Sequence, residues 1–510
     1  MPNCGGGPAS PAAKVLVHTP AMTLDPHTPV IVGVAQVTDR FSDQSEARSP
    51  LDLMEDALRS AAIDAGSPRA TSRLDLVGVV GGSWNYPDPG RQVADRGGSD
   101  PTTTLVTSWS GHSPQLLINH LAARIQAGQL DAAVVLGGEN NRSRRLARSL
   151  GAELERDYDT TLPAAEPFGE PLVMATDHEE ERGVSAPITI YPLLDSAIRH
   201  AMGETISEHR RRLGQLWEGF NQVAVDNPHA AVRTPMTADE ITTPTEANRL
   251  VGAPYTIAMN AHNNVDQASA VLLMSVERAL AAGVPRDRWV FPLAGSHGLD
   301  TEWISERWEL NRAPVLRLAG ERVLKAADTD IGDLTHIDLY SCFPSAVQIS
   351  STELGIDQDR ALTVTGGLTF AGAPYNNYSG QAIAAMVGCI REQPGAGLVH
   401  ANGGYVTKHS FGVYSDHPGG HFLNIDVADE AASLPIRQTD PGFSGETTVE
   451  AYSVMHDRTG HPTHAVVSLR TDTAARVWGT TRDVDTLGAM LVEEHIGRSA
   501  ELSPDGTVST

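Results

Sequence analysis

Lysine is nearly missing from this chain: of 510 residues only Lys14, Lys325 and Lys408 are lysine, and none follows a glycine. A phosphate loop ending in Gly-Lys-Ser/Thr is therefore absent, which excludes nucleotide hydrolysis by that route. Cysteine is as scarce. Cys4, Cys342 and Cys389 are too few and too scattered for a disulfide framework or a Cys-x-x-Cys zinc site. That scarcity predicts a reducing, cytoplasmic setting and no metal. No apolar run reaches 18 residues, so no membrane-spanning helix is expected. Residues 1–28 are rich in Gly, Pro and Ala without the apolar core of a signal peptide, and the closing Val508-Ser-Thr is not a peroxisomal address. A disordered tail is expected there. Positive charge is also short: 38 basic residues face 63 acidic ones, a net charge of −25 that opposes nucleic acid and anionic membrane surfaces as partners.

What is present is ordinary apolar content, 40%, with only 5% aromatics and with 47 Gly and 32 Pro. This predicts a soluble α/β chain with many turns, too long for one core. Val30 to Ala35 reads as a strand. Ser49-Pro50 opens a helix that stops at Gly66, with Ser49 as cap and Leu51, Met54, Leu58 and Ala61 on one face. Asp75 to Val80, a helix over Pro114 to Ala127, and Ala132 to Leu136 continue a β-α-β-α-β rhythm, which predicts a parallel sheet with helices over its faces. Residues 140–265 interrupt it with Arg clusters (Arg142, Arg144, Arg145, Arg148; Arg210 to Arg212) and Pro-bounded turns, an inserted loop domain. The pattern resumes at Ala268 to Met274 and Val276 to Ala282. A second half repeats it, with helices near Leu318 to Ala327 and Tyr378 to Cys389 and strands at Ile337 to Leu339, Leu398 and Phe411 to Tyr414. Two pseudo-duplicated βαβαβ halves place a site where strand ends from both converge. Beyond residue 440 strict alternation at Val449, Ala451 and Ser453 predicts a small antiparallel β-module, a candidate for an oligonucleotide/oligosaccharide-type barrel, cleavable near Asp440 to Glu446. The expected division is 1–28, 29–300, 301–439 and 440–510.

Five stretches carry a family likeness: Gly128-Gln-Leu-Asp-Ala-Ala-Val-Val-Leu-Gly-Gly-Glu139, Val265-Asp-Gln-Ala-Ser-Ala-Val271, Tyr340-Ser-Cys-Phe343, Gly366-Gly-Leu-Thr-Phe-Ala-Gly-Ala-Pro374 and Asn402-Gly403-Gly404. In this order they resemble the landmarks of thiolases of the sterol-carrier-protein-2 type, over about residues 28 to 435, with an additional C-terminal domain beyond. The resemblance implies a thiolase fold, membership of an acyltransferase superfamily of lipid metabolism, and coenzyme A or an acyl-CoA as a ligand that is not permanently bound. It also implies a homodimer, unless the added domain leaves a monomer.

The catalytic positions of that family are altered. Counting back from Gly128 by the family's spacing puts Gly111 where the nucleophilic cysteine belongs, and a shifted register puts Ser108 there. The Gly-His-Pro motif reads Gly372-Ala373-Pro374, so the activating histidine is lost. Tyr340 replaces the loop histidine and keeps one hydrogen-bond donor. Cys342 matches the family's acid/base cysteine, and a buried core thiol is the other reading of it. Gly111, Gly372, Asn402, Gly403 and Gly404 are the candidate ligand contacts, and Gly366 and Gly367 join them if close backbone approach to a ligand is what excludes their side chains. His112 with Ser113 invites a Ser–His pair, while His400 and His409 line the pocket or serve the core. The Arg clusters suit phosphate groups or a solvated face. Three functions remain: a CoA-thioester-binding protein without ordinary thiolysis, an acyltransferase using Ser108, Ser110 or Cys342, or a scaffold whose C-terminal module holds a partner.

Overall fold

The computed structural model describes residues 24–40, 47–152, 154, 157, 159–171 and 173–510. The expected tail over 1–28 therefore lies mostly outside the described residues. Its last part is packed: Val276 and Glu277 donate backbone hydrogen bonds to Thr28 and Pro26.

In chain order the strands are β1 (Pro29–Asp39), β2 (Leu76–Val79), β3 (Thr103–Thr107), β4 (Ala132–Asn140), β5 (Glu166–Phe168), β6 (Leu250–Gly252), β7 (Tyr255–Thr256) and β8 (Asp266–Ser275). They continue with β9 (Phe291–Leu299), β10 (Leu334–Asp338), β11 (Ala396–Gly403), β12 (Lys408–Ser415) and β13 (Leu423–Asp426). The last five are β14 (Gly445–His456), β15 (Pro462–Arg470), β16 (Arg476–Thr481), β17 (Ser499–Leu502) and β18 (Val508–Ser509). They form a six-stranded sheet, β1-β8-β4-β2-β3-β5, a five-stranded sheet, β10-β11-β12-β9-β13, and a C-terminal sheet that β6 and β7 join.

Both main sheets are mixed, which corrects the parallel expectation. β2 runs parallel to β3 and β4, but β8 is antiparallel to β4 and to β1. Apolar periodicity reports which face is buried and says nothing of strand direction. β9, which ends just before residue 300, pairs with β12 in the second sheet.

Alternation along the strands feeds two layers at once. On β8, Ala268, Ala270, Leu272 and Met274 join a core with Met54 and Leu58, while Val271 and Leu273 face the opposite core. The helices Ser113–Gln126 and Tyr378–Glu392 lie between the sheets and touch strands of both. The helix Pro50–Asp64, capped by Ser49 as expected, covers the outer face of the first sheet, and Pro314–Ala326 that of the second. On β9 the faces separate at neighbouring residues: Gly295 backs onto Asn119 of the inner helix, and Ser296 bonds to the Ala319 carbonyl of the outer one. The segment between β4 and β8, an insertion between two strands paired in one sheet, supplies the helices Pro187–Met202 and Ile206–Asp226.

The C-terminal strands close on themselves. β14 pairs with β15 and β17, β15 with β16, and β17 with β18. A parallel bridge between Thr480 and Thr507 joins β16 to the entry of β18. Val449, Val454, Leu469, Val477 and Leu502 fill this barrel, and Leu487 and Met490 of the helix Val484–Met490 pack onto them.

The barrel is not a loosely tethered body. Arg476, fully buried, makes two hydrogen bonds to Glu450 and reaches out of the barrel to the carbonyls of Ile304, Ser305 and Arg307. Trp478 donates to Ser305 Oγ at 2.7 Å, Arg199 to the Tyr452 hydroxyl at 2.9 Å, and β6 pairs with β14. None of the described helices is long and apolar enough to cross a membrane.

Candidate functional site

Five loops meet where the inner helices begin. β3 leads through Ser108 to His112 into the helix Ser113–Gln126, and β10 leads through Tyr340 to Phe343 into the helix Pro344–Leu354. The loop Gly366–Pro374, the end of β11 with the turn that leads to β12, and the loop after β2 complete the ring. Ser379 Oγ donates to the Gly111 carbonyl at 3.1 Å, and Asn376 Nδ2 to the Gly81 carbonyl at 2.8 Å, so loops from both halves are bonded together.

Gly111 sits at the centre, and its missing side chain is accounted for. A Cβ there would lie 2.3 Å from Tyr340 Oη and 2.5 Å from the Asn402 carbonyl oxygen. The phenol thus occupies the space that a nucleophilic side chain at this position requires. Gly403 is held to glycine by Ser110, whose Oγ would be 2.0 Å from a Cβ, and Gly372 by the Gln267 amide, 2.5 Å from one. Gly366 backs onto Ala224 and Gly367 onto Phe220 and Ser341. The atoms that exclude these side chains belong to the protein. Gln267 stands where the resembling motif has glycine, and it donates to the Ala371 carbonyl at 2.8 Å.

The retained polar groups are brought together and sealed. Tyr340, Cys342 and Asn402 are all buried. Tyr191, from the insertion, is the hub that sequence reasoning missed. Its hydroxyl donates to the Gly404 carbonyl at 2.8 Å, accepts from Asn402 Nδ2 at 3.2 Å and lies against the Cys342 thiol. Its ring stacks on Phe343 with centroids 4.5 Å apart. Burial pushes the Cys342 thiol up to about 12, outweighing the Tyr191 contact that lowers it, so at neutral pH it is protonated. Burial also raises the Tyr340 phenol, which stays protonated and able to donate. Asp338, likewise unforeseen, is pushed up to about 6 by burial while accepting from Thr363, Val364 and Tyr378. It ties the segments on either side of the loop Gly366–Pro374 to the end of β10.

Ala373, at the lost histidine position, is buried and donates its N–H to the His262 carbonyl at 3.0 Å. A Ser–His pair does form, but His112 takes Ser110 as its partner and not Ser113. Ser110 Oγ lies 2.7 Å from His112 Nδ1, whereas Ser113 bonds to the Ser108 carbonyl and Ser108 to that of Glu170. His400 and His409 bond to each other at 3.2 Å, and His400 stacks on Phe411, so both belong to the core. Arg144 is taken up by Ser83, Glu139 and Asn141, and Arg212 by Glu204, Gln348 and Gln358.

Burial holds His112 and His400 down at about 3 and His409 well below its usual value, with Lys408 and His297 adding to the effect at His112. Unfolded imidazoles titrate near 6.5, so between there and about 3 the unfolded chain binds more protons. The stability these groups contribute is complete above pH 6.5 and is lost as pH falls. Asp338 and Glu139, raised by burial, act with the opposite sign, so the histidine contribution is read by comparison with a variant. His400→Asn is expected to flatten the fall of urea stability between pH 6 and 4 by about 1.4 kcal/mol per pH unit. Equal slopes in the two proteins would show that His400 is not buried neutral.

Comparison with known proteins follows the same lines. Residues 426–507 match the family described as thiolase-like protein type 1 additional C-terminal domain. Along almost its whole length the chain is similar to a monomeric SCP2-thiolase like protein type 1 from Mycobacterium smegmatis. The two are 28% identical, with a TM-score of 0.82 over 95% of this chain and 99% of that one. The dimeric peroxisomal thiolase of Saccharomyces cerevisiae is 13% identical, with a TM-score of 0.54 over 77% of this chain and 98% of that one. The acetyl-CoA acetyltransferase of Syntrophomonas wolfei is 17% identical, with a TM-score of 0.55 over 76% and 99%. At those two identities the likeness shows the fold. No curated protein matches the chain by sequence.

Proposed function

We propose, from the premise that this is a thiolase-fold chain ending in the additional C-terminal domain of thiolase-like protein type 1, that the protein binds coenzyme A or acyl-CoA thioesters without performing thiolysis. The observation that carries the second half of this reading is the Tyr340 phenol, which fills the place of a side chain at Gly111. Thiolysis needs a thiolate to take the acyl group and a base to generate it. Gly111 supplies no nucleophile, Ala373 no base, and Cys342 stays protonated. The ligand class is supported by the survival of the whole ring of loops from both halves. The inner end of such a ligand meets the wall of Tyr340 and Asn402, which separates binding from turnover. β5 occupies the free edge of β3, and a monomer acting in the cytoplasm on acyl-lipid intermediates is the corresponding assembly and setting.

Titration calorimetry with coenzyme A, acetyl-CoA and a long-chain acyl-CoA tests the reading. Saturable, salt-sensitive binding is expected, with thiolysis of acetoacetyl-CoA no faster than the uncatalysed rate. No heat with any of the three at millimolar concentration would remove the ligand class, and thiolysis blocked by alkylation would remove the rest.

One observation favours a second reading. The Ser110–His112 hydrogen bond pairs a hydroxyl with a neutral imidazole beside Gly111, the arrangement an acyl transfer through serine uses. An acyl group trapped on Ser110 would establish it.

A further inference from the structure

Two aromatic rings meet across the ring of loops, outside the hydrophobic core. Trp109 lies two residues before Gly111 and Tyr375 two residues after Ala373, so each flanks one of the two altered positions of the thiolase motifs. Their centroids are 5.3 Å apart, with the planes tilted by 51°. Trp109 is 48% exposed, although the serines on either side of it turn into the protein, Ser108 to the Glu170 carbonyl and Ser110 to His112. Trp308 is similarly open, but there the Arg437 guanidinium lies over the ring at 4.4 Å. Neither the Trp109 indole N–H nor the Tyr375 hydroxyl has a hydrogen-bond partner among the described residues.

Tyr375 is also held under backbone strain. Its φ of 44° lies in the left-handed region, where a bulky aromatic residue is uncommon. The amides of Asn376 and Asn377 fix the backbone that follows by donating to the Gly81 and Gly137 carbonyls, and the Tyr375 N–H closes onto the Ala373 carbonyl at 2.7 Å. A glycine would adopt this conformation without strain. Strain that the surroundings hold in place, and that a smaller residue would relieve, points to a use for the side chain.

We propose that Trp109 and Tyr375 form the specificity-determining surface for the acyl group of a thioester ligand, and that this group is apolar and longer than acetyl. This rests on the CoA-thioester reading and names the acyl class of its ligand. Tyr340 and the Asn402 carbonyl close the interior at Gly111. An acyl group carried to that point therefore stays outside the wall, where the two flanking loops offer it the pair of rings. Aromatic faces supply a large apolar area at little entropic cost. An acetyl group has only a methyl to cover. Each fully buried methylene strengthens binding by about fourfold, so the longer chain of a hexanoyl group, half covered on an open surface, gains about tenfold.

Calorimetry of the full chain and of Trp109→Ala with coenzyme A, acetyl-CoA and hexanoyl-CoA tests it, together with binding and urea midpoints for Tyr375→Gly and Tyr375→Ala. The wild type is expected to bind hexanoyl-CoA about tenfold more tightly than acetyl-CoA. Trp109→Ala should bind the two alike while keeping its affinity for free coenzyme A. Tyr375→Gly should unfold at a higher urea concentration than Tyr375→Ala, since of the two only glycine fits a positive φ, yet it should lose the same preference for hexanoyl-CoA. Equal affinity of the wild type for all three ligands, or a preference that survives Trp109→Ala, overturns the assignment and leaves the CoA-thioester reading standing. No binding of any of the three, coenzyme A included, removes that reading and the assignment with it. A Tyr375→Ala variant at least as stable as Tyr375→Gly also overturns the assignment, because the backbone there would then hold no strain.

Discussion

Gly111→Cys is expected to destabilise the protein by about 1–3 kcal/mol or more, and to recover no thiolase activity even when combined with Ala373→His. Forcing atoms into a filled space costs about this much where neighbours can shift, and here one of the two obstacles cannot shift easily. The Tyr340 hydroxyl is the end of a side chain, but the Asn402 carbonyl is backbone at the end of β11, paired with β12 just before the turn that joins them. That turn is already constrained: Val406, a β-branched residue, sits at a φ of 57°. Removing the phenol in Gly111→Cys/Tyr340→Ala is expected to relieve part of the clash, so the two substitutions should cost less together than their sum. Urea midpoints for the wild type, both single variants and the double variant measure this cycle. Additive losses would mean that Tyr340 does not occupy the space in front of Gly111.

Arg476→Met is expected to cost about 3–5 kcal/mol, the usual loss when one partner of a buried charged network is removed. The substitution strands the buried Glu450 carboxylate, left with Arg470 and the Ser468 hydroxyl, and takes the side-chain donor from the carbonyls of Ser305, Arg307 and Ile304, of which Ile304 keeps the Arg307 N–H. Because those carbonyls lie outside the barrel, the loss should reach the main body. In the wild type the barrel and body should unfold together, and cleavage between Asp440 and Glu446 should be slow. A variant that loses less than about 1 kcal/mol, or a wild-type barrel that melts separately, would show the two parts to be independent.

Much of the fold was legible because its signals are local. Ser49-Pro50 starts a helix through a cap and a fixed φ, Gly283 ends one in the left-handed region at φ 75°, and the Val449, Ala451, Ser453 alternation marks β14. The short strand Thr103–Thr107 and the helix Pro89–Arg96 gave too little periodicity to stand out. The order of the five motifs carried the family likeness before any coordinates. The interior of the site was not legible in the same way. A glycine records that something approaches closely and not what approaches, so Gly111, Gly372 and Gly403 read equally well as ligand contacts or as neighbours of Tyr340, Gln267 and Ser110. Tyr191 reaches Gly404 and Cys342 across a large sequence separation, and nothing around Ile190-Tyr191-Pro192 announces it.

Intact-protein mass spectrometry after incubation with excess acetyl-CoA tests most directly the proposal that the centre around Gly111 is filled and forms no acyl-enzyme. The unmodified mass of the chain is the predicted result, with or without acid quenching. A stoichiometric gain of one acetyl group, mapped to Ser110 or Cys342, would contradict it and make the protein an acyltransferase with a nucleophile of its own.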